Sequence, residues 1–303
     1  MGFILNPLYN IVSGIMIAIH KVLSPIFGAN SGVTWSLSIM GLVVLIRIIL
    51  IPLFVKQIKS QRAMTALQPQ MKAIQAKYKD DRQKQSEEMM KLYKEHKTNP
   101  LASCFPILAQ APVMFALFTV LNGIAHNKPH GFMKGEYLVS AAQAKFFGSP
   151  ISETFLGSDK LTVKIVTIFL IALMSATTFT TQKQLMTKGM PKMDASNNMM
   201  LQQQKIMLYL FPIIFAISGV NFPVGVLIYW STTNLWTWGQ QFYVIKRNPT
   251  PGSPAYEELA RKRAHKAKLD GKELPSEGGS TTIEAPKTEG QRQQPKKAKK
   301  KKK

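Results

Sequence analysis

The chain has 303 residues, 46% of them hydrophobic, and a formal net charge of +23 at pH 7. Its mean hydropathy is only −0.02, because long apolar runs alternate with strongly basic segments, a division typical of an integral membrane protein. The single cysteine, Cys104, excludes an internal disulfide, and the five histidines show no helical pairing, so we expect no metal site and no cofactor.

The N-terminal segment is apolar but does not have the features of a signal peptide. Residues 3–27 contain neither a basic n-region nor a small-residue cleavage site. Apolar residues recur there at helical spacing, which predicts an amphipathic helix lying on the outer face of the membrane. We therefore assign residues 1–30 to an extracytoplasmic interfacial segment. The alternative is a sixth span, which would place the N-terminus inside the cell.

The first predicted span, residues 33–54, is long enough to cross a bilayer as a helix and contains one charge, Arg47. The next basic residue, Lys56, follows nine positions later. At ~1.5 Å per residue, Arg47 lies about 13 Å deeper than Lys56, near the middle of a ~30 Å hydrocarbon core. A charge left in lipid at that depth costs at least ~2.5–3.5 kcal/mol, so Arg47 must meet something polar.

An intramembrane carboxylate would be the usual partner of such an arginine, and the other predicted spans have none. These spans cover residues 101–124, 161–181, 207–219 and 222–245 and contain no Asp or Glu. Without a counter-ion, Arg47 is expected to face water, so the helices should enclose a hydrated cavity or groove. The alternative is an arginine that hydrogen-bonds backbone carbonyls of a neighbouring helix.

Residues 56–99, between the first two spans, are the most hydrophilic part expected to fold. Their apolar residues recur at steps of three and four, which predicts two amphipathic helices in a hairpin that projects into the cytoplasm. The basic polar face suits anionic lipids or ribosomal RNA, and the alternative is a solvated helix pair without a ligand. The residues predicted to make these contacts are Lys72, Lys77, Arg82 and Lys84.

Polar side chains inside the later spans share helix faces and are expected to complete a cavity open toward the cytoplasm. For any single threonine, the alternative is an ordinary interhelical hydrogen bond worth ~1 kcal/mol. The predicted groove residues are Arg47, Gln110, Thr178, Gln182, Tyr229, Thr233 and Trp236.

The charge of the connections predicts the topology. The connections 56–99 and 182–206 are basic, whereas 126–160 is nearly neutral and the link at 220–221 has no charge. The positive-inside rule then gives five spans, with the N-terminus outside and the C-terminus in the cytoplasm.

The C-terminal segment differs in composition from the rest of the chain. From Asn248 it is rich in Pro, Gly, Ser, Glu and Lys, and it ends in a run of lysines. We predict a disordered, basic cytoplasmic tail over 247–303, which leaves residues 31–246 as the five-span core.

Several segments together resemble the family of YidC-type membrane protein insertases. They are LQPQMK at 67–72, EMMKLYKEH at 88–96 followed by NPL at 99–101, CFPILAQAPV at 104–113, and NFPVG at 221–225 with Tyr229, Trp230 and Asn234–Trp236. The resemblance extends over residues 7–246, with the segments in the same order and at the right spacing.

The resemblance implies an all-α integral membrane protein in which five transmembrane helices form a bundle with a cytoplasmic helical hairpin. The family's positively charged, hydrophilic groove opens to the cytoplasm and the lipid, and Arg47 matches its groove arginine by position. The implied function is to insert nascent membrane proteins into the bacterial cell membrane, without enzyme activity. Implied partners are the ribosome, the Sec translocon, the signal recognition apparatus and anionic lipids.

Three other functions were weighed. A transporter or channel with a hydrated cavity lined by Arg47 is the main alternative, although ion-coupled carriers generally use intramembrane carboxylates. An intramembrane enzyme is disfavoured because no zinc motif or paired aspartates are present. A membrane-tethered nucleic-acid binder would depend on the basic tail, so it would lose its activity on deletion of residues 248–303.

Overall fold

Helices make up most of the chain in the structure, a computed structural model that describes residues 2–96, 98, 105–189 and 199–269. The helices are α1 (Gly2–Phe27), α2 (Gly32–Ile49), α3 (Ile51–Lys77), α4 (Arg82–Glu95), α5 (Phe105–Ala125), α6 (Glu136–Gln143), α7 (Leu161–Gln184), α8 (Met199–Gly219), α9 (Val224–Arg247) and α10 (Pro254–Leu269). A π-helical turn, Leu185–Gly189, extends α7, and the strands β1 (Lys145–Phe146) and β2 (Ser149–Pro150) form an antiparallel hairpin. The chain divides into two compact units, Met1–Leu259 and Ala260–Lys303.

Three helical segments in the described residues are long and apolar enough to cross a membrane. They are Leu5–Phe27, Gly32–Ile49 and Leu161–Gly189. Two shorter apolar helices cover Gln110–Ala125 and Leu208–Gly219. This composition agrees with the predicted all-α membrane protein.

The first predicted span does not continue as one helix to residue 54. α2 is capped at its start by Ser31, whose hydroxyl accepts a hydrogen bond from the Val33 amide at 3.2 Å. It ends at Leu50, and α3 starts directly afterwards. The break has a local cause, because Pro52 has no N–H to donate to the carbonyl of Ile48. The span is therefore shorter than predicted, and Arg47 lies in its last turn.

The two helices predicted within 56–99 are present as α3 and α4, although α3 begins five residues earlier than the predicted hairpin. The Asp81 side chain caps α4 by accepting a hydrogen bond from the Lys84 amide at 3.0 Å. The pair is held by a small apolar cluster of its own. Its members are Leu67, Leu92 and Tyr93, with Met64, Met71, Ile74 and Met89 packed against them.

The main core joins one end of the packed helices to the connection 126–160, and we call this the closed end. Its helical members come from α1, α2 and α6, from the N-terminal parts of α7 and α9, and from the C-terminal part of α5. They include Trp35, Ile39, Leu42, Leu117, Val120, Val166, Leu170, Leu227 and Ile228.

The connection 126–160 also caps α9, whose first amides have no side-chain cap. The Val224 amide donates to the Glu153 carbonyl at 3.0 Å, and the Gly225 amide donates to the Ile151 carbonyl at 2.8 Å. These bonds satisfy amides that a helix leaves unpaired at its start. α9 is therefore attached directly to the connection at the closed end.

Glu153 gives the closed end a specific dependence on pH. Burial raises the pKa of this carboxyl, but hydrogen bonds from Lys160 and Ser158 and the charges of Lys160 and Lys145 outweigh that effect, so its pKa is lowered from the usual 4.5. A depressed folded-state pKa stabilises the fold above the unfolded value, and this contribution is lost as the pH falls through the folded-state pKa.

We therefore expect the thermal unfolding midpoint of the detergent-solubilised protein to fall as the pH drops from about 5 to about 3. The variant Glu153→Gln should show a flatter pH dependence over this range. The matched control is Glu136→Gln, which changes an exposed carboxyl of the same connection. Equal pH dependence in the wild type and in Glu153→Gln would contradict the assignment.

The C-terminal segment differs from the prediction. Residues 254–269, expected to be part of a disordered tail, form α10. Local signals explain the helix, since the Ser253 hydroxyl accepts from the Tyr256 amide at 3.3 Å, Pro254 is the first residue and Glu257 lies in the first turn. The remainder of the predicted tail, 270–303, lies outside the described residues.

Candidate functional site

Burial changes abruptly along α7 and α9. Every α9 residue from Val224 to Tyr229 is buried, whereas none from Thr232 to Val244 is. In α7, Thr177 is the last buried side chain before the π-helical turn. Away from the closed end, these helices therefore present partly buried side chains, many of them polar.

Arg47 lies at this transition, in the last turn of α2, with only 8% of its surface exposed. Its guanidinium carbon is 5.4 Å from the ring centroid of Phe54 on α3, within the range of cation–π interactions. Its charge also interacts with the side chain of Tyr229 on α9. None of the ion pairs among the described residues involves Arg47. The guanidinium is thus largely buried between aromatic side chains, without a described carboxylate partner.

The wall formed by α7 and α9 contains five of the predicted groove residues, Thr178, Gln182, Tyr229, Thr233 and Trp236. The Thr178 hydroxyl donates to the Asn234 side-chain oxygen at 3.4 Å and so joins the two helices. Tyr229 and Thr233 lie one turn apart on α9. Gln182 is partly buried one turn beyond Thr178.

Trp236 makes its described hydrogen bond within α9, and Gln110 lies on a different helix, α5. The indole N–H of Trp236 donates to the Gln240 side chain at 3.0 Å, within α9. Gln110 is partly buried on α5, and no described contact joins it to the other predicted residues. The structure therefore relates Arg47 to Tyr229 and Thr178 to Asn234, but it leaves Gln110 apart.

Three further threonines of α7 bond within their own helix, so they support neither a groove role nor the interhelical bond that the sequence left open. The hydroxyls of Thr177, Thr180 and Thr181 donate to carbonyls one turn earlier in the same helix, at 2.7 Å in each case. These bonds satisfy the hydroxyls locally. Thr178 differs because its described partner lies on another helix, so its bond is of the interhelical kind that the sequence left open as the alternative.

The predicted contact residues of the hairpin form a separate, exposed set. Lys72, Lys77, Arg82 and Lys84 are all exposed on α3 and α4. Lys77 also lies 5.1 Å from the ring centroid of Tyr78. The basic charge of these four side chains is therefore available to a partner in solution.

Two residues of the site were missed by the sequence prediction. Phe54 lies seven positions after Arg47, a spacing that places two helical residues on similar faces, and this signal could have identified it. Asn234 entered the sequence analysis only as part of the segment 234–236 that carries the family resemblance. No sequence pattern shows that its amide meets Thr178, because that contact depends on how α7 and α9 pack.

These features define a helical membrane protein with a buried arginine beside a polar wall. A family model described as "60Kd inner membrane protein" matches residues 26–251. The chain belongs to this family, that of the YidC membrane protein insertases, as the sequence motifs predicted.

Three relatives illustrate the similarity, and each bears the name "Membrane protein insertase YidC". The protein of Streptomyces avermitilis is 55% identical, and the match covers 80% of this chain and 59% of that protein. The protein of Tropheryma whipplei is 37% identical, with 96% and 94% covered. The protein of Mycobacterium tuberculosis is 31% identical, with 94% and 85% covered. The family is one of insertases rather than enzymes, and the transporter alternative finds no support in these comparisons.

Proposed function

We propose that the chain is an insertase that receives nascent membrane proteins from the cytoplasm and releases their hydrophobic segments into the lipid of the bacterial cell membrane. The observation that carries this proposal is Arg47, buried at the level where α7 and α9 change from a packed core to a polar wall. The groove is proposed to comprise Arg47, Gln110, Thr178, Gln182, Tyr229, Thr233 and Trp236, with Asn234 added.

The proposed architecture is a bundle of five transmembrane helices, α2, α5, α7, α8 and α9, with the closed end outside the cell. Residues 31–246 form the core, the hairpin 56–99 and residues 247–303 are cytoplasmic, and residues 1–30 lie on the outer face. The burial of the first halves of α2, α7 and α9 supports a bundle sealed on the outer side.

Contacts of α1 support an interfacial helix over a sixth span. Its Tyr9 ring lies 5.3 Å from that of His130, its Ser13 hydroxyl accepts from the Phe132 amide at 2.8 Å, and its His20 ring lies 6.0 Å from that of Tyr137. These positions extend along roughly 16 Å of helix, yet all meet the connection 126–160. A helix crossing the bilayer would move away from an outer connection over that length.

The mechanism follows from solvation. Moving a short polar segment of a client across the membrane is costly, because its polar groups lose water. A hydrated groove with one positive charge lowers this cost, and Arg47 attracts acidic residues of the segment transiently. The transfer of about 20 apolar residues of the client into lipid supplies the driving free energy.

The exposed basic residues of the hairpin are proposed to receive the client complex. Lys72, Lys77, Arg82 and Lys84 can bind ribosomal RNA or anionic lipid headgroups, since both present phosphates. The signal recognition apparatus and the Sec translocon are further proposed partners at the cytoplasmic face.

Site-specific photocrosslinking to a ribosome-bound, single-span nascent protein tests the groove. A photoreactive residue at Thr233 should crosslink as the client's span emerges and lose the crosslink once the client is released. The matched control is Leu235, an exposed apolar position two residues further along α9. Crosslinks of equal yield from both positions, or from neither, would contradict a client groove beside Arg47.

A further inference from the structure

The β1–β2 hairpin presents the most exposed large hydrophobic side chain among the described residues. Phe147, at its turn, is 80% exposed. Its φ is 47°, and the next residue, Gly148, has a φ of 80°. Turns of this kind favour Asn, Asp or Gly, and a bulky residue at positive φ is strained. The ring of Phe147 lies beside that of Phe146, with the ring centroids 4.7 Å apart. At 80% exposure, the Phe147 ring is not part of the core.

The hairpin lies between the starts of two helices that can cross the membrane. A Cβ atom at Gly32, the first residue of α2, would lie 1.8 Å from the Lys145 carbonyl oxygen, so β1 passes directly over that helix start. A Cβ atom at Gly148 would lie 3.9 Å from Cγ2 of Thr162, in the first turn of α7. The turn therefore lies at the level where both helices begin.

The surroundings of the turn are apolar, with a basic residue at the edge. The exposed side chains at these helix starts include Val33, at 50%, and Leu161, at 70%, and the end of α1 adds Ile26, at 70%. Lys145 is exposed beside them and lies near Glu153. Segments that lie in the membrane surface bury Phe and Leu at the boundary between lipid tails and headgroups, and their lysines reach the headgroups.

We propose that the Phe147 turn inserts into the interfacial region of the outer leaflet, where Lys145 pairs with lipid phosphates. The anchor acts on the closed end, because the Ile151 amide bonds the Ala144 carbonyl beneath the hairpin at 2.9 Å and the Ile151 carbonyl caps α9. This proposal rests on the outer position of the connection 126–160 in the proposed function.

The test uses spin labels on single cysteines in the full chain with Cys104→Ser, reconstituted into vesicles of phosphatidylethanolamine and phosphatidylglycerol. A label at Phe147→Cys should be several-fold more accessible to oxygen, which partitions into lipid, than to a water-soluble nickel chelate. A label at Glu136→Cys, an exposed position of the same connection, should show the opposite preference. Equal preference for the nickel chelate at both positions would overturn the anchor.

A second measurement keeps the native turn and avoids a label that inserts by itself. A label at Gln143→Cys, exposed at the end of α6, reports the depth of the hairpin. Adding Phe147→Asn, which suits the positive φ, should raise the accessibility of this label to nickel several-fold. An unchanged accessibility would overturn the proposal.

Failure of the anchor can be distinguished from failure of the underlying topology. In vesicles with the native outer face exposed, a membrane-impermeant reductant should quench the Glu136→Cys label. If it does not, the outer position of the connection is wrong and the anchor proposal falls with it. If the label is quenched but Phe147→Cys prefers the nickel chelate, the anchor alone is wrong.

Discussion

Replacement of Arg47 by alanine should lower the insertion of clients with acidic translocated segments by about tenfold or more. A tenfold loss requires only about 1.4 kcal/mol, which is modest for an attraction between opposite charges in a partly dehydrated groove. Arg47→Lys should have a milder effect, because it keeps the charge and loses only the planar guanidinium. Insertion into vesicles, measured as protease protection of the client, gives the ratio directly.

The control for this experiment is made in the client. Exchanging the acidic residues of its translocated segment for Asn or Gln should largely remove the difference between wild type and Arg47→Ala. Because Arg47 is buried against Phe54, the thermal unfolding midpoint of Arg47→Ala is measured alongside, so that a loss of packing is separated from a loss of charge. A uniform loss for acidic and neutral clients would show that the charge has no selective role.

Gly32→Ala should destabilise the protein by about 3 kcal/mol or more, a loss of about 5 °C or more in the unfolding midpoint for a chain of this size. The added methyl group would lie 1.8 Å from the Lys145 carbonyl oxygen and 2.6 Å from its carbonyl carbon. Both are backbone atoms, which cannot move aside by changing a rotamer. The measurement is thermal unfolding of the detergent-solubilised protein.

Gly239→Ala on α9 is the matched control for that variant. Nothing lies within 4 Å of a Cβ atom at this position, and alanine is favoured over glycine inside a helix by about 1 kcal/mol. The unfolding midpoint should therefore stay level or rise. If Gly32→Ala behaves like Gly239→Ala, the close approach of β1 to α2 is not a feature of the folded protein.

Most helices could be predicted from the sequence, because apolar periodicity and the long apolar runs reflect local chemistry. The predicted boundaries are wrong at two places, where the composition of a whole segment was given more weight than a local helix start or stop signal. Pro52 ends the helical hydrogen-bonding pattern of α2 inside an apolar run that was taken as one span. Ser253 and Pro254 start α10 inside a segment whose composition indicated disorder.

The sequence identified residues of the site only where the chemistry of a single residue indicated its role. Arg47 stood out because a charge in an apolar run is costly, and the structure places it against Tyr229, another predicted residue. The bond between Thr178 and Asn234 and the turn at Phe147 were not predictable in the same way. Each depends on how separate segments meet, which single-sequence periodicity does not encode.

The capping of α9 by the connection 126–160 also has a consequence for the synthesis of the protein itself. The carbonyls of Ile151 and Glu153 are translated about 70 residues before the amides of Val224 and Gly225 that they accept. At ribosomal speeds of about 5–20 residues per second, the interval is about 4–14 s. During this time the new chain has the connection 126–160 but lacks the helix that this connection caps, so the closed end of each molecule is completed only after α9 has been made.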